Sequence, residues 1–217
     1  MRVLCQTSMG AMEKAMGRPR EFNPDAAVQT AMTLFWQRGY DSVSFDTLVG
    51  ETGASRKGLY ALWPDKQALL VAALMSYRQM VGERLLHDLE SAEAGLAEIA
   101  EFWDKFEHAA RQSGWSGCLV MRTAANKIAA EPQVAVEIKA FFDRLSNALE
   151  NALRGALRRR EIKSDPSPQV RARQAFSVAV ACSAIGSFEG FTPRVADLIN
   201  AGRAACGALA HRRGKVV

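Results

Sequence analysis

The stretch Ser44-Phe45-Asp46-Thr47-Leu48-Val49-Gly50-Glu51-Thr52-Gly53-Ala54-Ser55-Arg56-Lys57-Gly58-Leu59-Tyr60-Ala61-Leu62-Trp63-Pro64-Asp65-Lys66 decides the reading of this chain. Ser44 is a good N-cap, and Phe45, Leu48 and Val49 follow at i, i+3, i+4 spacing, so a short helix with one apolar face starts here. Gly53 can take the left-handed conformation that ends it, and Ser55 supplies an oxygen to cap the next helix. That second helix covers Arg56 to Leu62, with Leu59 and Leu62 inward and Arg56, Lys57, Gly58 and Tyr60 outward. The outward groups suit duplex DNA. Basic side chains reach phosphates and guanine edges, the glycine lets the helix start approach closely, and the phenol meets a phosphate or a thymine methyl. Asp65 caps a third helix after Pro64, and Lys66 in its first turn aims a charge and a backbone N–H at the same phosphates. The run reads as a helix-turn-helix, and Ser44, Ser55 and Lys66 belong to its candidate DNA-binding set.

Upstream, Asn23 and Pro24 form an N-cap followed by proline at the first helical position, and Ala27, Ala31, Leu34 and Phe35 carry an apolar stripe to Gly39. That is a bracing first helix. Residues 1 to about 16 read as a loose extension in which Met9, Met12 and Met16 are further candidate starts. Gly17-Arg18-Pro19-Arg20 resembles the short minor-groove element of AT-hooks, with Arg18 and Arg20 reaching into a narrow groove; a solvated charged tail is the alternative.

The residues from Asn23 to Leu70 also carry a family resemblance. Leu34-Phe35, Gly39-Tyr40, Ser42-Val43-Ser44, Thr52-Gly53-Ala54-Ser55, Gly58-Leu59-Tyr60 and Trp63-Pro64-Asp65-Lys66-Gln67-Ala68-Leu69 resemble the N-terminal domain of TetR-type transcriptional regulators in order and in distance. The match covers about a quarter of the chain. Trp63 stands where a phenylalanine is usual and Gly50 where an alanine is usual, both read as core swaps. Leu62 stands where a tyrosine or histidine is usual, which removes one polar group near the DNA.

Composition agrees with a helical, folded chain. Of 217 residues, 48% are hydrophobic, enough for a buried core in one domain or two small ones. Ala, Leu, Glu, Lys and Arg are abundant and period-two runs of Val, Ile and Thr are scarce, so the expected fold is all-α. No apolar run approaches the roughly 18 residues that span a bilayer, and the N-terminus lacks a hydrophobic signal region, so a cytoplasmic protein with no membrane partner is expected. The net charge of +5 fits a polyanion partner without identifying one, since Glu13, Glu21, Asp41, Asp46 and Glu51 nearly offset Lys14, Arg18, Arg20, Arg56 and Lys57. Cys5, Cys118, Cys182 and Cys206 show no CxxC spacing, and His87, His108 and His211 are scattered, so neither a disulfide framework nor a metal site is expected, and no cofactor.

Beyond the helix-turn-helix, a long helix runs from Asp65 to about Leu89, and others cover Leu96 to Ala110, Cys118 to Ala130, and Pro132 to the Arg158-Arg159-Arg160 cluster. The last two, from Pro168 to Ser187 and Pro193 to His211, are rich in small residues such as Ala175, Ala179, Ala184, Ala201 and Ala205, which let helices approach closely. The family resemblance implies a four-helix homodimer interface there; packing within the chain is the alternative. Gly114 to Asn126 is similar to the Gly-Cys-Leu stretch of one TetR subgroup, where it opens a helix beside the effector pocket. Cys118 at that helix start, with Arg122 one turn on, is a candidate low-pKa thiol, or else a small buried hydrophobe. Trp103, Phe106, Trp115, Phe141, Phe142 and Phe176, with Met121, are candidates for an aromatic effector pocket, and Cys118 and Arg122 join them.

The expectation is therefore an all-α chain in three parts: a flexible basic arm over 1–20, a helix-turn-helix domain over 21–68, and an effector-binding and dimerisation domain over 69–217. The expected function is a homodimeric repressor released from a palindromic double-stranded DNA operator by a small-molecule or thiol-reactive effector. An effector-independent activator or architectural DNA binder is the alternative within the fold. An enzyme is disfavoured, because no Ser/His/Asp or Cys/His grouping, phosphate loop or paired carboxylate stands at usable spacing.

Overall fold

The computed structural model describes residues 23–207, and these are helical with no strand. Helix α1 (Pro24–Arg38) starts where the Asn23 side chain accepts the Ala26 N–H at 3.1 Å and ends at Gly39, whose φ is 80°. In α2 (Phe45–Thr52), Ser44 Oγ accepts the Thr47 N–H at 3.0 Å, and Gly53 closes the helix in the left-handed region. Ser55 Oγ caps α3 (Arg56–Leu62) on the Gly58 N–H at 3.0 Å, and Asp65 Oδ1 caps α4 (Lys66–Val81) on the Ala68 N–H at 2.7 Å. Each cap satisfies a backbone N–H that the first turn leaves without a partner, which is why four short polar residues place four helix starts.

The remaining helices are α5 (His87–Glu90), α6 (Leu96–Ala110), α7 (Leu119–Ala124), α8 (Pro132–Arg158), α9 (Pro168–Glu189) and α10 (Pro193–Cys206). Three differ from the sequence expectation. The long helix from Asp65 is not regular, since Gly82–Leu86 forms a π turn between α4 and α5. There the Arg144 guanidinium of α8 lies against Gly82, where a Cβ would overlap it, and donates to the Arg78 carbonyl at 3.4 Å. Glu90 holds the same guanidinium at 2.6 and 2.9 Å, so an inserted side chain accounts for the widened turn. The helix expected over Cys118–Ala130 is divided: Asn126 turns its Oδ1 onto the Ile128 N–H at 2.9 Å and starts a separate 3-10 turn, Lys127–Ala130. Helix α10 stops at Cys206, because Gly207 adopts φ 85° and closes it. The expected continuation to His211, like the 1–20 arm, lies outside the described residues.

One hydrophobic core runs through the described residues, from Phe35 and Leu59 past Leu69, Leu74 and Tyr77 to Trp103 and Leu149. Helix α4 joins its two ends. Its first turns bury Leu69, Leu70 and Ala73 while the helix packs on α1 and, further along, on α8. A division at residue 68 therefore falls inside α4. Much of the small-residue character of the last helices serves packing within the chain, since Ala172, Ala175 and Ala179 are buried on α9, which packs on α8 and α10, and Gly186 is buried against the Trp115 ring. A different stripe of α9 faces outward: Val170, Ser177, Ala184 and Phe188 are exposed, the last at 90%.

Gly50 is corrected from core swap to surface position. It is exposed in mid-helix with open space where a Cβ would go. Gly155 is its opposite: a Cβ there would overlap the Ala94 carbonyl oxygen. Gly50→Ala should raise unfolding stability by about 1 kcal/mol through helix propensity, and Gly155→Ala should lower it by roughly 1–3 kcal/mol through overpacking. Thermal unfolding checks both, and a Gly155→Ala protein as stable as the parent would contradict the close approach of α8 to residue 94.

Candidate functional site

The outer face of α3 presents two groups. Lys57 is exposed in the first turn and has no hydrogen-bond or ion-pair partner among the described residues. Tyr60, one turn on and 41% exposed, stacks on the Phe45 ring with centroids 4.3 Å apart and planes at 18°, which fixes the direction of its phenol. Arg56 is paired with Asp46 of α2 across the turn. Gly58 lies close to Ser55 Oγ, a neighbour only 3.1 Å from where its Cβ would stand. The hydroxyls of Ser44 and Ser55 are engaged as caps, Ser44 Oγ also lying 2.9 Å from Thr47 Oγ1, so Ser44 shapes the start of α2 and Ser55 that of α3.

Two orientations differ from expectation. The Lys66 ammonium does not extend to solvent: Nζ donates to the Tyr40 carbonyl at 3.1 Å and lies 3.9 Å over the Tyr40 ring, tying α4 to the turn after α1. Leu62, expected inward, is 50% exposed. It is rotated by about 60° from Leu59 on a 3.6-residue helix and clears the three-helix core at the end of a seven-residue helix. Arg18 and Arg20 lie outside the described residues.

A second constellation joins α1 to the other end of the molecule. The Trp36 indole N–H donates to the Gly117 carbonyl at 2.8 Å. Arg122 of α7 donates to the Trp36 and Gln37 carbonyls at 3.1 and 3.4 Å, and Asn126 donates to Asp41 at 2.5 Å. The last carbonyls of a helix lack intrahelical partners and carry the negative end of its dipole, so a guanidinium is well suited to that place. Arg122 thus caps α1 instead of facing the Cys118 thiol as its spacing suggested.

Beside this junction is a cavity of about 390 Å³. Trp36 from α1, Tyr77 from α4, Phe106 from α6 and Trp115 from the following loop wall it, and buried Cys118 and Ser183 lie at its inner end. Of the residues expected to form an effector pocket, Phe106, Trp115 and Cys118 line it. Trp103, Met121, Arg122, Phe141 and Phe176 do not. Trp103 is fully buried against Gly202, Phe141 packs beside Tyr77 with centroids 6.0 Å apart, Phe176 packs on Phe142 at 5.4 Å, and Met121 is half-buried against the core. Sequence reasoning missed Trp36, Tyr77, Arg84 and Ser183. Trp36 and Tyr77 stand 41 residues apart in helices assigned to bracing, so no local spacing links them.

The thiols are the reverse of activated. Burial pushes Cys118 up, against weaker opposing hydrogen bonds from the Tyr77 hydroxyl and the Met121 and Val120 amides. Burial likewise raises Cys182 and Cys206 to about 11. A low-pKa Cys118 is therefore corrected: α7 offers only six residues of dipole and Arg122 points away. No group of three His, Cys, Asp or Glu side chains among the described residues could hold a metal, and none of their helices is long and apolar enough to cross a membrane.

Residues 27–73 match the family model for bacterial regulatory proteins of the tetR family. The chain is 38% identical over 95 residues to the HTH-type transcriptional repressor ComR of Escherichia coli, covering 42% of this chain and 45% of that repressor. It is 30% identical over 111 residues to the repressor BdcR of the same organism, covering 48% and 54%. The matched stretches thus span about half the length of these two relatives. Among solved structures, a cysteine mutant of the TetR family regulator CifR complexed with 26-bp operator DNA superposes with a TM-score of 0.74 at 23% identity, over 89% of this chain and 100% of that one. The reduced form of E. coli NemR gives 0.69 at 17% identity, over 84% and 92%. At these identities the likeness is one of fold.

The raised thiols set a pH dependence. Their folded values lie above the ordinary range near 8.5, so above that pH the unfolded chain loses protons first. Stability contributed by the protonated thiols is full below about pH 8.5 and is lost as pH rises toward the folded values, about 11 for Cys182 and Cys206. The unfolding midpoint should fall between pH 9 and 11, and Cys182→Ala with Cys206→Ala should flatten that fall. An equally steep decline in the double variant would contradict the assignment.

Proposed function

The chain belongs to the TetR family of bacterial regulatory proteins through residues 27–73, and we propose that it is a homodimeric repressor that reads operator DNA with α3 and is released by a small molecule held in the cavity between α1 and α6. The observation that carries this reading is the joining of two sites through one helix. The face of the helix-turn-helix presents Lys57 and Tyr60, while α1, which packs on α2, also supplies Trp36 to the cavity wall. A ligand against Trp36 and Trp115 presses on the Trp36–Gly117 and Arg122–α1 contacts that position the DNA-reading helices. The relatives named as repressors and the neighbour complexed with operator DNA support the operator-binding and repressor parts of this reading. The desolvated Cys118 favours a non-covalent effector over a thiol-reactive one.

Dimerisation is assigned to the outward stripe of α9, because Phe188, Ala184, Ser177 and Val170 repeat on one helical face and leave a large aromatic ring exposed at 90%. Two dimer-related α3 helices would then enter successive major grooves of a palindrome.

A site selected from random-sequence duplexes supplies the operator for the test. Lys57→Ala should weaken binding and lower the slope of log affinity against log salt by about one unit, as loss of one phosphate contact requires. Tyr60→Ala should weaken binding with the slope kept. Phe188→Asp, at an exposed position, should leave helicity intact and shift sedimentation to the monomer. Unchanged operator affinity in both α3 variants would contradict the DNA-reading assignment, and a dimeric Phe188→Asp protein would move the interface elsewhere.

A further inference from the structure

We propose that the cavity takes an aromatic monocarboxylate bearing a second polar substituent, with its carboxylate at Arg84 on the rim and the substituent at Ser183 on the floor; this deepens, and rests on, the reading of the cavity as an effector site. Three observations carry it. First, among the described residues Arg84 is the one formally charged side chain that lines the cavity, with no carboxylate and no lysine beside it there. It is exposed, and no hydrogen bond or ion pair holds it among the described residues. A guanidinium without a counter-charge at the mouth of an otherwise neutral cavity favours a planar anion and can hold it by two parallel N–H donors. Second, Ser183 is 3% exposed, lines the cavity, and its Oγ is buried with no hydrogen-bond partner among the described residues. A buried hydroxyl left without a partner is costly, and a ligand hydroxyl or carbonyl reaching the floor would satisfy it. Third, Trp36, Tyr77, Phe106 and Trp115 form the walls between these two ends. Flat π surfaces around a slot favour an aromatic ring.

The volume bounds the size. At about 390 Å³ the cavity lies toward the small end of ligand pockets, which suits a molecule of about 10–20 non-hydrogen atoms. A single ring or a fused pair with a short acidic arm fits that bound. A peptide, a long acyl chain or a nucleotide does not. The π turn adjoins the same site, since Val81, Arg84 and Leu85 line the cavity from α4 and from the Gly82–Leu86 segment. The turn therefore decides where the Arg84 guanidinium stands on the rim.

Isothermal titration of the full chain with para-coumarate, cinnamate and para-coumaryl alcohol separates the parts of the proposal. Para-coumarate carries both the acid and the hydroxyl, cinnamate lacks the hydroxyl, and the alcohol lacks the charge. Para-coumarate should bind at one site per chain, and each of the other two more weakly. Arg84→Gln should weaken para-coumarate about tenfold, the effect of a charged hydrogen bond, and leave the alcohol unchanged. Ser183→Ala should weaken para-coumarate and leave cinnamate unchanged, while the ligand-free variant stays at least as thermally stable as the parent, since it loses only an unpaired buried hydroxyl. An alcohol that binds as tightly as the acid, or an Arg84→Gln protein with unaltered acid affinity, would overturn the anionic assignment. Binding of none of the three would overturn the ligand class. These titrations contain no DNA, so their failure is read separately from the operator-binding results for Lys57→Ala and Tyr60→Ala.

Discussion

The structure depends on how the C-terminus of α1 is held. Helix α1 ends at Gly39, and its last carbonyls would lack partners were they not met by the Arg122 guanidinium at Trp36 and Gln37. Trp36 completes the attachment from the other side by donating to the Gly117 carbonyl. Gly117 in turn lies close against α9: its φ is 73°, and a Cβ there would overlap the Ser183 carbonyl oxygen. Three segments far apart in sequence, around residues 36, 117 and 183, are thereby fixed to one another within a few ångströms. The cavity is the space left where they meet.

Helix α4 makes the second connection. Its N-terminal end is tied to the turn after α1 by the Lys66 ammonium on the Tyr40 carbonyl and ring. Its C-terminal end gives way to the π turn, where Arg144 reaches in beside Gly82 and is held by Glu90. Between these ends Tyr77 faces the cavity, packed edge-on against Trp36 at 5.2 Å. Motion of either aromatic ring is therefore felt by both α1 and α4. Such coupling needs no special pathway, because close-packed side chains cannot shift singly.

Local chemistry was legible in the sequence and long-range pairing was not. Asn23, Ser44, Ser55 and Asp65 cap their helices as read, since a cap is decided by residues within three positions. Gly53 takes its left-handed conformation for the same local reason. The π turn escaped because its cause, Arg144, comes from another helix 62 residues beyond Gly82. Arg122 was read against its neighbour Cys118, whereas its true partners lie 86 and 85 residues upstream. Periodicity placed Tyr77, Trp103 and Phe141 among apolar helix positions but could not distinguish core from cavity: Trp103 and Phe141 pack in the core, while Tyr77 became a wall together with Trp36, which lay outside the α1 stripe. The small-residue faces of α9 and α10 fit both internal packing and an interface, and burial divides them into Ala175 and Ala179 inside and Ala184 outside.

Helices α1 to α3 and the cavity form one cooperative unit through the attachment at the end of α1. Calorimetric unfolding of the parent beside the Trp36→Phe/Arg122→Ala double variant tests it directly. The parent is expected to unfold in a single transition whose calorimetric and van't Hoff enthalpies agree, and the variant in two, with the segment carrying α1 to α3 melting first. Two transitions in the parent, or one unchanged transition in the variant, would show that the two sites are not joined at Trp36 and Arg122.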